Sequence, residues 1–377
     1  MAHTMLKTTL TTYGLAKRET TSFHSLISDA AALNLRHVLV LDLRYQEDAH
    51  SQAHAGRRSD AAFLLRRQRS ARYAIFLDRI REVVRLDKRG IEDDIPAIDS
   101  LYFIGFSEDD PQRMELCQAL HGLCPRVLQL DIGRDQTLDL GVFENLGTLE
   151  NLIILNAASG RMSPQSSSVL GSVRMLILDC CFRIRDFPHF PGPVALRELE
   201  ILWNDAMDTL CNLRSREHML DRLESLKLTS RIARDLHVNQ NGTFLKALQT
   251  IDSLRTLELV LAHSHIDEAH IDSKHRILEY LPRHLPPNLE RFTFRNGPTS
   301  IPYADRWIHC IQDHDWLPQL REFGFFFLAD PDRDYEQQGT ANEDCLRDGE
   351  ILEGGEKTAR MVREAMAESR RDVRIKP

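Results

Sequence analysis

The pattern LxxLxLxx, in which x is any residue, recurs about ten times along the 377-residue chain and constrains the fold more than any other feature. Clear copies occur at Leu149/Leu152/Ile154, Val173/Leu176/Leu178, Leu196/Leu199/Ile201, Leu223/Leu226/Leu228, Leu254/Leu257/Leu259, Leu289/Phe292/Phe294 and Leu320/Phe323/Phe325. Weaker copies occur at Leu35/Val38/Val40, Ile98/Leu101/Phe103 and Pro125/Leu128/Leu130. From the copy at Ile98 onward, successive copies start 23 to 35 residues apart. A period of this length indicates an array of similar structural units.

Each copy of the pattern predicts a short β-strand followed by a return segment. One such unit cannot bury its apolar side alone, so its leucines are expected to stack on those of the next unit in a parallel sheet. Because side chains alternate along a strand, the residues between the leucines point to the opposite side of the sheet. The sequence therefore predicts an α/β solenoid, curved into a horseshoe, whose concave face consists of these intervening residues.

The predicted array does not occupy the whole chain. Residues 1–34 are expected to form an N-terminal cap, and residues 35–328 the solenoid, with an insertion at 44–97. Residues 329–377 are expected to form an acidic segment and a C-terminal helix. The chain is thus predicted to be one repeat domain with a cap at each end.

Helical spacing of apolar residues predicts capping helices at 23–33 and 356–369. A further helix is predicted inside the insertion, because four apolar residues share one of its faces: Tyr73, Leu77, Ile80 and Val84. The arginines of that segment lie largely on its other faces. The insertion is therefore expected to contain one amphipathic helix.

Composition is typical of a soluble globular protein. Hydrophobic residues make up 42% of the chain and charged residues 28%, and no apolar run approaches the roughly 18 residues of a membrane span. The first fifteen residues are too rich in threonine for a secretory signal. Seven cysteines, an odd number without a CxxC pair, do not indicate a disulfide framework. We therefore expect a cytoplasmic or nuclear protein.

One unit of the array carries a more specific signature. Residues 173–187 read VRMLILDCCFRIRDF. This resembles the cysteine-containing leucine-rich repeat, LxxLxLxxCxxITDxxL, with Cys181, Ile184 and Asp186 in register. The next unit has Asn204 at the position that Cys181 fills. In such repeats this side chain turns inward and bonds backbone groups where the strand ends.

This subclass is typical of F-box and leucine-rich-repeat proteins, which the chain resembles over residues 35–328. In that family the F-box binds a Skp1-type adaptor of a cullin ubiquitin ligase, and the concave face captures the substrate. The resemblance implies a leucine-rich-repeat horseshoe that recognises substrates for an SCF-type ubiquitin ligase, although no F-box signature precedes the first predicted strand at Leu35. The alternative is a scaffold or inhibitor that binds and occludes a partner without ubiquitin chemistry.

The predicted concave face combines an apolar centre with charged surroundings. The expected partner-binding residues are Asn151, Ile153, Leu155, Met175, Ile177, Asp179, Glu198, Glu200, Lys227, Glu258, Arg291 and Arg295. An exposed apolar cluster rimmed by charge is typical of a protein-docking site. The alternative is that a flanking loop covers these side chains. Changing Ile153 or Ile177 to Asp is expected to remove the main partner while the fold is retained.

Three polar clusters could in principle carry other chemistry. One is a histidine-rich loop of zinc-type ligands without a compact signature, formed by His263, His265, Asp267, His270, Asp272 and His275. Another is Cys117, His121 and Cys124, which lack a fourth ligand, and the third is His309 beside Cys310, where adjacency disfavours a nucleophilic pair. We therefore predict no catalytic residues, cofactor or bound metal. A metal-dependent enzyme using the histidine-rich loop is the least favoured alternative.

Charge is unevenly distributed along the chain. The net charge is −8, yet the segment from Arg57 to Arg89 is basic and could contact phosphates or an acidic protein. The acidic chain contains no recognised nucleic-acid-binding motif, which favours a solvated helix face. We expect protein partners, and neither nucleic acid nor a membrane.

Overall fold

The computed structural model of the protein describes residues 4–11, 16–22, 37–43, 73–87, 97–106, 113–132, 138–146, 149–157, 162–179, 181, 187–202, 206–230, 243–261, 276–297, 303–328 and 344–376. The chain divides into two compact units, Met1–Val173 (unit 1) and Arg174–Pro377 (unit 2). Each unit is an α/β structure in which helices connect strands of an open, mostly parallel sheet.

Unit 1 contains six described strands, ordered β2-β1-β3-β4-β5-β6 across its sheet. They are β1 (Thr4–Thr11), β2 (Ala16–Ser22), β3 (His37–Asp42), β4 (Ser100–Phe106), β5 (Val127–Ile132) and β6 (Asn151–Leu155). Strands β1 and β2 are antiparallel, and all the other neighbours are parallel. The helical segments are α1 (73–87), α2 (Arg113–Ala119), a 3-10 turn at Leu140–Phe143, and α3 (Ser166–Ser172).

Unit 2 contains seven described strands that follow chain order and are all parallel. They are β7 (Met175–Asp179), β8 (Glu198–Leu202), β9 (Ser225–Ser230), β10 (Thr256–Leu261), β11 (Arg291–Asn296), β12 (Glu322–Phe327) and β13 (Arg374–Ile375). The helical segments are α4 (Ala206–Arg214), α5 (Thr243–Gln249), α6 (Arg276–Tyr280), a 3-10 turn at Leu281–His284, α7 (Ala304–Ile311) and α8 (Asp344–Ser369). Parallel neighbours need such crossovers, since a tight hairpin cannot join them.

The ten copies of the repeat pattern coincide with the ten consecutive strands β3 to β12. The α/β class and the parallel sheets predicted from the pattern are therefore confirmed. The helix predicted in the insertion is α1, and its apolar face is buried as expected, with Ile80 fully inaccessible. The predicted C-terminal helix is α8, which begins earlier, at Asp344, and ends at Ser369 as predicted.

The N-terminal cap contains a β-hairpin that the sequence did not predict. Within residues 1–34 the structure describes the hairpin of β1 and β2, whereas the predicted helix at 23–33 lies outside the described residues. Along β1, Thr8 and Leu10 are buried while Lys7 and Thr9 are half-buried, which is the period of two that a strand requires. The threonines that argue against a signal peptide also favour a strand, because β-branched side chains fit a pleated surface.

The pattern residues form the core of each unit. In unit 1, for example, Leu101, Leu128 and Leu152 are neighbours on adjacent strands, and all are fully buried. In unit 2 the last two copies of the repeat pattern are aromatic. The Trp307 ring of α7 stacks on Phe292 and Phe294, with ring centroids 5.7 and 5.1 Å apart. Aromatic pairs at such distances add to the stabilisation from burial. The predicted repeat units therefore stack through their leucine and aromatic positions.

A row of backbone hydrogen bonds fixes the register throughout unit 2. Each of the strands β8 to β12 is preceded by a residue whose N–H donates to the carbonyl of the residue that precedes the neighbouring earlier strand. At the start of β13, the Arg374 N–H donates in the same way to the Arg321 carbonyl. The row connects Arg174, Arg197, Glu224, Arg255, Glu290, Arg321 and Arg374, with N···O distances of 2.7 to 2.9 Å. Consequently, residues at equivalent pattern positions are direct neighbours on adjacent strands.

Candidate functional site

The candidate site is the side of the sheet opposite the leucine core, which we call the alternate face. It consists of the residues between the pattern leucines. In unit 2 the register arranges these residues in three rows across the strands. The first row is Met175, Glu198, Ser225, Thr256, Arg291 and Glu322; the second is Ile177, Glu200, Lys227, Glu258, Thr293 and Gly324; the third is Asp179, Leu202, Thr229, Val260, Arg295 and Phe326.

Charged side chains on the alternate face of unit 2 form ion pairs between adjacent strands. Lys227 on β9 pairs with Glu200 on β8, and the Arg295 Nε donates to Glu258 Oε1 at 3.0 Å between β11 and β10. Because these groups are partly solvated, each pair contributes no more than about 1 kcal/mol to stability. Their main effect is to hold charges of both signs in a fixed pattern on the surface.

Apolar side chains occur at every second strand of the third row. Leu202, Val260 and Phe326 are half-buried and alternate with Thr229 and Arg295. Half-buried apolar groups beside fixed charges match the composition of a protein interface, in which apolar anchors lie within a polar rim. The third row therefore supplies apolar contact surface among the charged residues.

The predicted apolar centre at the two isoleucines is wrong in one respect. Ile153 in unit 1 is only 2% exposed and Ile177 in unit 2 only 5% exposed, so neither side chain is open to a partner. A carboxylate at either position would be placed among buried apolar groups at a large cost in free energy. The expectation that Ile153→Asp and Ile177→Asp retain the fold is therefore not supported.

The other predicted site residues remain accessible within their own units. In unit 1, Asn151 and Leu155 are half-buried. In unit 2, Glu198 and Arg291 are exposed, and the remaining six are half-buried: Met175, Asp179, Glu200, Lys227, Glu258 and Arg295. Their role in partner binding stays a prediction.

The structure adds residues to the alternate face that the repeat pattern did not indicate. The Lys376 Nζ lies 2.8 Å from Glu322 Oε1 and 3.1 Å from Thr293 Oγ1, so the Lys376 side chain lies across β12 to β11. This ammonium group, together with the nearby Arg374 and Arg291, holds the pKa of the Glu322 carboxyl below its usual value. Phe326 could have been found by alternation along β12, but Lys376 follows a two-residue strand that gives no periodic signal.

The folds of the two units do not by themselves identify a family. No protein-family model matches the chain, and the comparisons with curated proteins and with solved structures found no match either. The leucine-rich-repeat assignment thus stays a prediction from the repeat pattern. The chemistry of the alternate face is the remaining indication of function.

The strand-end cysteine behaves as the resemblance implies. Cys181 is buried, and its Sγ donates to the backbone carbonyl of Asp179 at the end of β7 at 3.4 Å. Asn204 lies outside the described residues. At the end of β11, the buried Asn296 donates from its side chain to the Phe326 carbonyl at 2.9 Å. Buried side chains thus satisfy backbone groups at the strand ends, as a packed interior requires.

The clusters considered for metal binding gain no support within the part of the chain that the structure describes. There, no group of three or more His, Cys, Asp or Glu residues could hold a metal ion. Cys117 is half-buried, whereas His121 and Cys124 are exposed. The histidine-rich loop from His263 to His275 lies outside the described residues.

The buried Cys310 and the half-buried Cys211 have thiols that resist ionisation. Burial raises the pKa of Cys310, and the hydrogen bond from Arg283 only partly opposes this effect. Burial, reinforced by Asp208, raises the pKa of Cys211 to about 12. The thiolate is the nucleophilic form of cysteine, so neither thiol is activated at neutral pH.

The two tryptophans near Cys310 act as packing anchors. Trp307 is almost fully buried, and the Trp316 Nε1 donates to the Pro282 carbonyl at 2.7 Å. An indole N–H usually finds such a partner when it is buried. This region is therefore a structural junction between α7 and the preceding 3-10 turn.

The described part of the basic segment is partly neutralised by its own acids. In α1, Arg81 pairs with Asp78 at 2.7 Å and Arg85 with Glu82 at 2.6 Å, both at i,i+3 spacing. The segment from Arg57 to Arg72 lies outside the described residues. None of the described helices is both long and apolar enough to cross a membrane.

Proposed function

We propose that the protein is a non-catalytic protein-interaction module that binds its partner through the alternate face of unit 2. The observation that carries this proposal is the set of fixed, accessible charges on strands β8 to β11, interspersed with half-buried apolar side chains. Electrostatic complementarity across an interface mainly determines specificity and association rate. Half-buried apolar groups supply contact surface that a partner can cover.

The apolar part of this surface is assigned to the third row. Leu202, Val260 and Phe326 are half-buried and accessible, whereas Ile153 and Ile177 are buried. A partner that covers the third row would contact these three apolar groups together with Arg295. The charged second row would lie beside them and select against partners of unsuitable charge.

The cellular role that we propose rests on the repeat resemblance. A leucine-rich-repeat solenoid of the F-box-associated subclass would recognise substrates for an SCF-type ubiquitin ligase and be linked to it by a Skp1-type adaptor. Cys181 supports the subclass, because it is buried and bonded to the backbone at the end of its strand. The alternative is a scaffold or inhibitor that occludes its partner without ubiquitin chemistry.

Affinity purification with mass spectrometry tests this function when it is combined with inversion of one ion pair. The double change Glu200→Lys and Lys227→Glu keeps a pair between β8 and β9 but reverses its field. We expect loss of the main partner with the fold intact. The matched control is the double change Arg197→Glu and Glu224→Arg, which inverts an exposed pair at the start of the same two strands. That control should keep the partner.

The outcome also separates the two roles. A Skp1-type adaptor and a cullin among the captured proteins would support the ligase role, whereas a stable partner without them would favour the scaffold. If the inverted pair captures every protein that the unchanged chain captures, the alternate face of unit 2 is not the binding site. Circular dichroism of both variants checks that the fold is retained.

A further inference from the structure

The last strands of unit 2 carry a cluster of two arginines around one aromatic ring. The guanidinium carbon of Arg295 lies 4.8 Å from the centroid of the Phe326 ring, and that of Arg363, from α8, lies 6.0 Å from it. Both distances are within the range in which a cation is attracted to an aromatic face. The Arg363 guanidinium also donates to the Phe325 carbonyl at 2.5 Å, which fixes its position above β12.

A glycine allows the ring and a lysine side chain to lie close to the strand. A Cβ atom at Gly324 would lie 2.7 Å from Phe326 Cε2 and 3.2 Å from Lys376 Cδ. Both side chains therefore cover the backbone of β12 at this point. The result is a continuous surface made of the ring, the lysine stem and the Arg295 guanidinium.

This surface has an excess of positive charge. We call it the basic end and define it by five cations and two carboxylates: Arg291, Arg295, Arg363, Arg374 and Lys376 with Glu258 and Glu322. In the first row Glu322 lies between Arg291 and Arg374, its direct neighbours on β11 and β13. The lowered pKa of the Glu322 carboxyl reflects these cations. Three positive charges remain after the carboxylates are counted against the five cations.

We propose that the basic end binds an acidic segment of a partner protein, whose carboxylates pair with the arginines while an apolar side chain lies on the Phe326 ring. This inference rests on the proposed function and names the chemistry of the partner. Guanidinium groups form bidentate hydrogen bonds with carboxylates. Because they are weakly hydrated, they lose little hydration free energy when a partner covers them. Arginine and aromatic residues are also enriched among the residues that contribute most to protein interfaces.

The arrangement of charges favours a peptide over a nucleic acid. Glu258 and Glu322 lie among the cations, and each would repel a closely spaced phosphate backbone. A peptide can place its acidic residues at the arginines and leave the positions opposite these glutamates neutral. The apolar Phe326 ring likewise suits a side chain of a peptide.

Fluorescence anisotropy on the full chain tests this proposal. The probe is a fluorescein-labelled peptide of glutamates around one central tryptophan, and the comparison probes are its glutamine counterpart and a single-stranded oligonucleotide. We expect saturable binding of the glutamate peptide that weakens with added salt. Binding of the glutamine peptide should be weaker by about tenfold or more, because each exposed charge pair adds a modest binding free energy and this peptide forms no such pairs.

Matched variants locate the binding site. The double change Arg291→Gln and Arg374→Gln removes two exposed cations from the basic end, and we expect the affinity for the glutamate peptide to fall about three- to tenfold. The control is Arg174→Gln with Arg222→Gln, which removes two exposed cations elsewhere in unit 2. It should change the affinity less than about twofold. Phe326→Leu should weaken binding while the unfolding transition is kept.

Several results would overturn the proposal. These are no saturable binding of the glutamate peptide, equal weakening by the two charge-removing pairs, or tighter binding of the oligonucleotide through the same arginines. Partner capture that still depends on Glu200 and Lys227, without peptide binding, would reject the basic end and leave the proposed function standing. If the peptide binds but the changes at Glu200 and Lys227 leave partner capture unchanged, the basic end is supported and the proposed function is rejected.

Discussion

The alternate faces of the two units differ, although their leucine cores are built alike. On β3 to β6 of unit 1 the first two rows of that face are apolar or uncharged, and Val38, Val40, Val127 and Ile153 are buried. In unit 2 most equivalent positions on β8 to β11 are polar or charged and accessible. The repeat pattern therefore determines how strands stack, while the intervening residues determine what each sheet offers to its surroundings.

The difference follows from the composition of the strands. Strands β3 and β6 of unit 1 read HVLVLD and NLIIL, which are nearly continuous apolar runs, and β7 at the start of unit 2 reads MLILD in the same way. Parallel strands with such runs are typically buried on both faces. Strands β8 and β10 read ELEIL and TLELVL, in which apolar and polar residues largely alternate, and this predicts one accessible face.

The largest expected effect tests the two alternate faces directly. Ile153→Asp in unit 1 should lower the free energy of unfolding by about 4 kcal/mol or more, because it buries a carboxylate among apolar groups. Val260→Asp in unit 2 should cost only about 1 kcal/mol, since the side chain is half-buried. Urea unfolding measures both. Equal losses would remove the distinction between the faces.

A second pair of variants tests whether the cores are equivalent. Leu128→Ala in unit 1 and Leu257→Ala in unit 2 both truncate fully buried pattern leucines. Each should cost about 2 to 5 kcal/mol, as the lost transfer energy combines with the cavity that remains. Denaturant midpoints give the two values. A much smaller loss of stability in one unit would show that its core relaxes more completely around the cavity. The units would then differ on both faces of their sheets.

The end of unit 2 allows a test between neighbouring glycines of α8. A Cβ atom at Gly355 would collide with the Phe327 ring, whereas one at Gly354 would meet nothing. Gly355→Ala should destabilise the protein by about 1 to 3 kcal/mol through overpacking. Gly354→Ala should be neutral or stabilise it by up to about 1 kcal/mol through helix propensity. Thermal unfolding compares them, and equal behaviour would contradict the close packing of α8 on β12.

The smallest expected effect concerns the charges at the basic end. The pKa of Glu322 is below its ordinary 4.5, so its ionised form stabilises the fold fully above that pH. This contribution is lost as the pH falls from 4.5 through the lowered value. Glu322→Gln should therefore cost less than about 1 kcal/mol at neutral pH and almost nothing in acid. Urea unfolding of the unchanged protein and the variant across this pH range checks that their free energies of unfolding become equal in acid.

Much of the fold could be predicted because leucine spacing reports burial directly. The strands β3 to β12 and the helices α1 and α8 follow from periodic apolar residues. The strands β1, β2 and β13 could not be predicted in this way, because they are polar or too short to show a period. Their pairing depends on neighbours that are distant in sequence.

The candidate site was less predictable than the fold. Alternation correctly placed Glu200, Lys227, Glu258 and Arg295 on the accessible side of unit 2. It did not reveal that Ile153 and Ile177 are buried, which the nearly continuous apolar runs of β6 and β7 indicate instead. Nor could it bring Arg363 to Phe326, because that contact depends on how α8 packs against the sheet.

The unbroken backbone row at the strand starts of unit 2 makes its segments interchangeable in principle. A segment from Arg197 to the residue before Glu224, or from Glu224 to the residue before Arg255, begins and ends at equivalent hydrogen bonds. Recombination with crossover points at these residues should therefore exchange the surface while leaving the scaffold intact. Length changes would be absorbed in the connections, whereas one added residue inside a strand would turn its charges into the core.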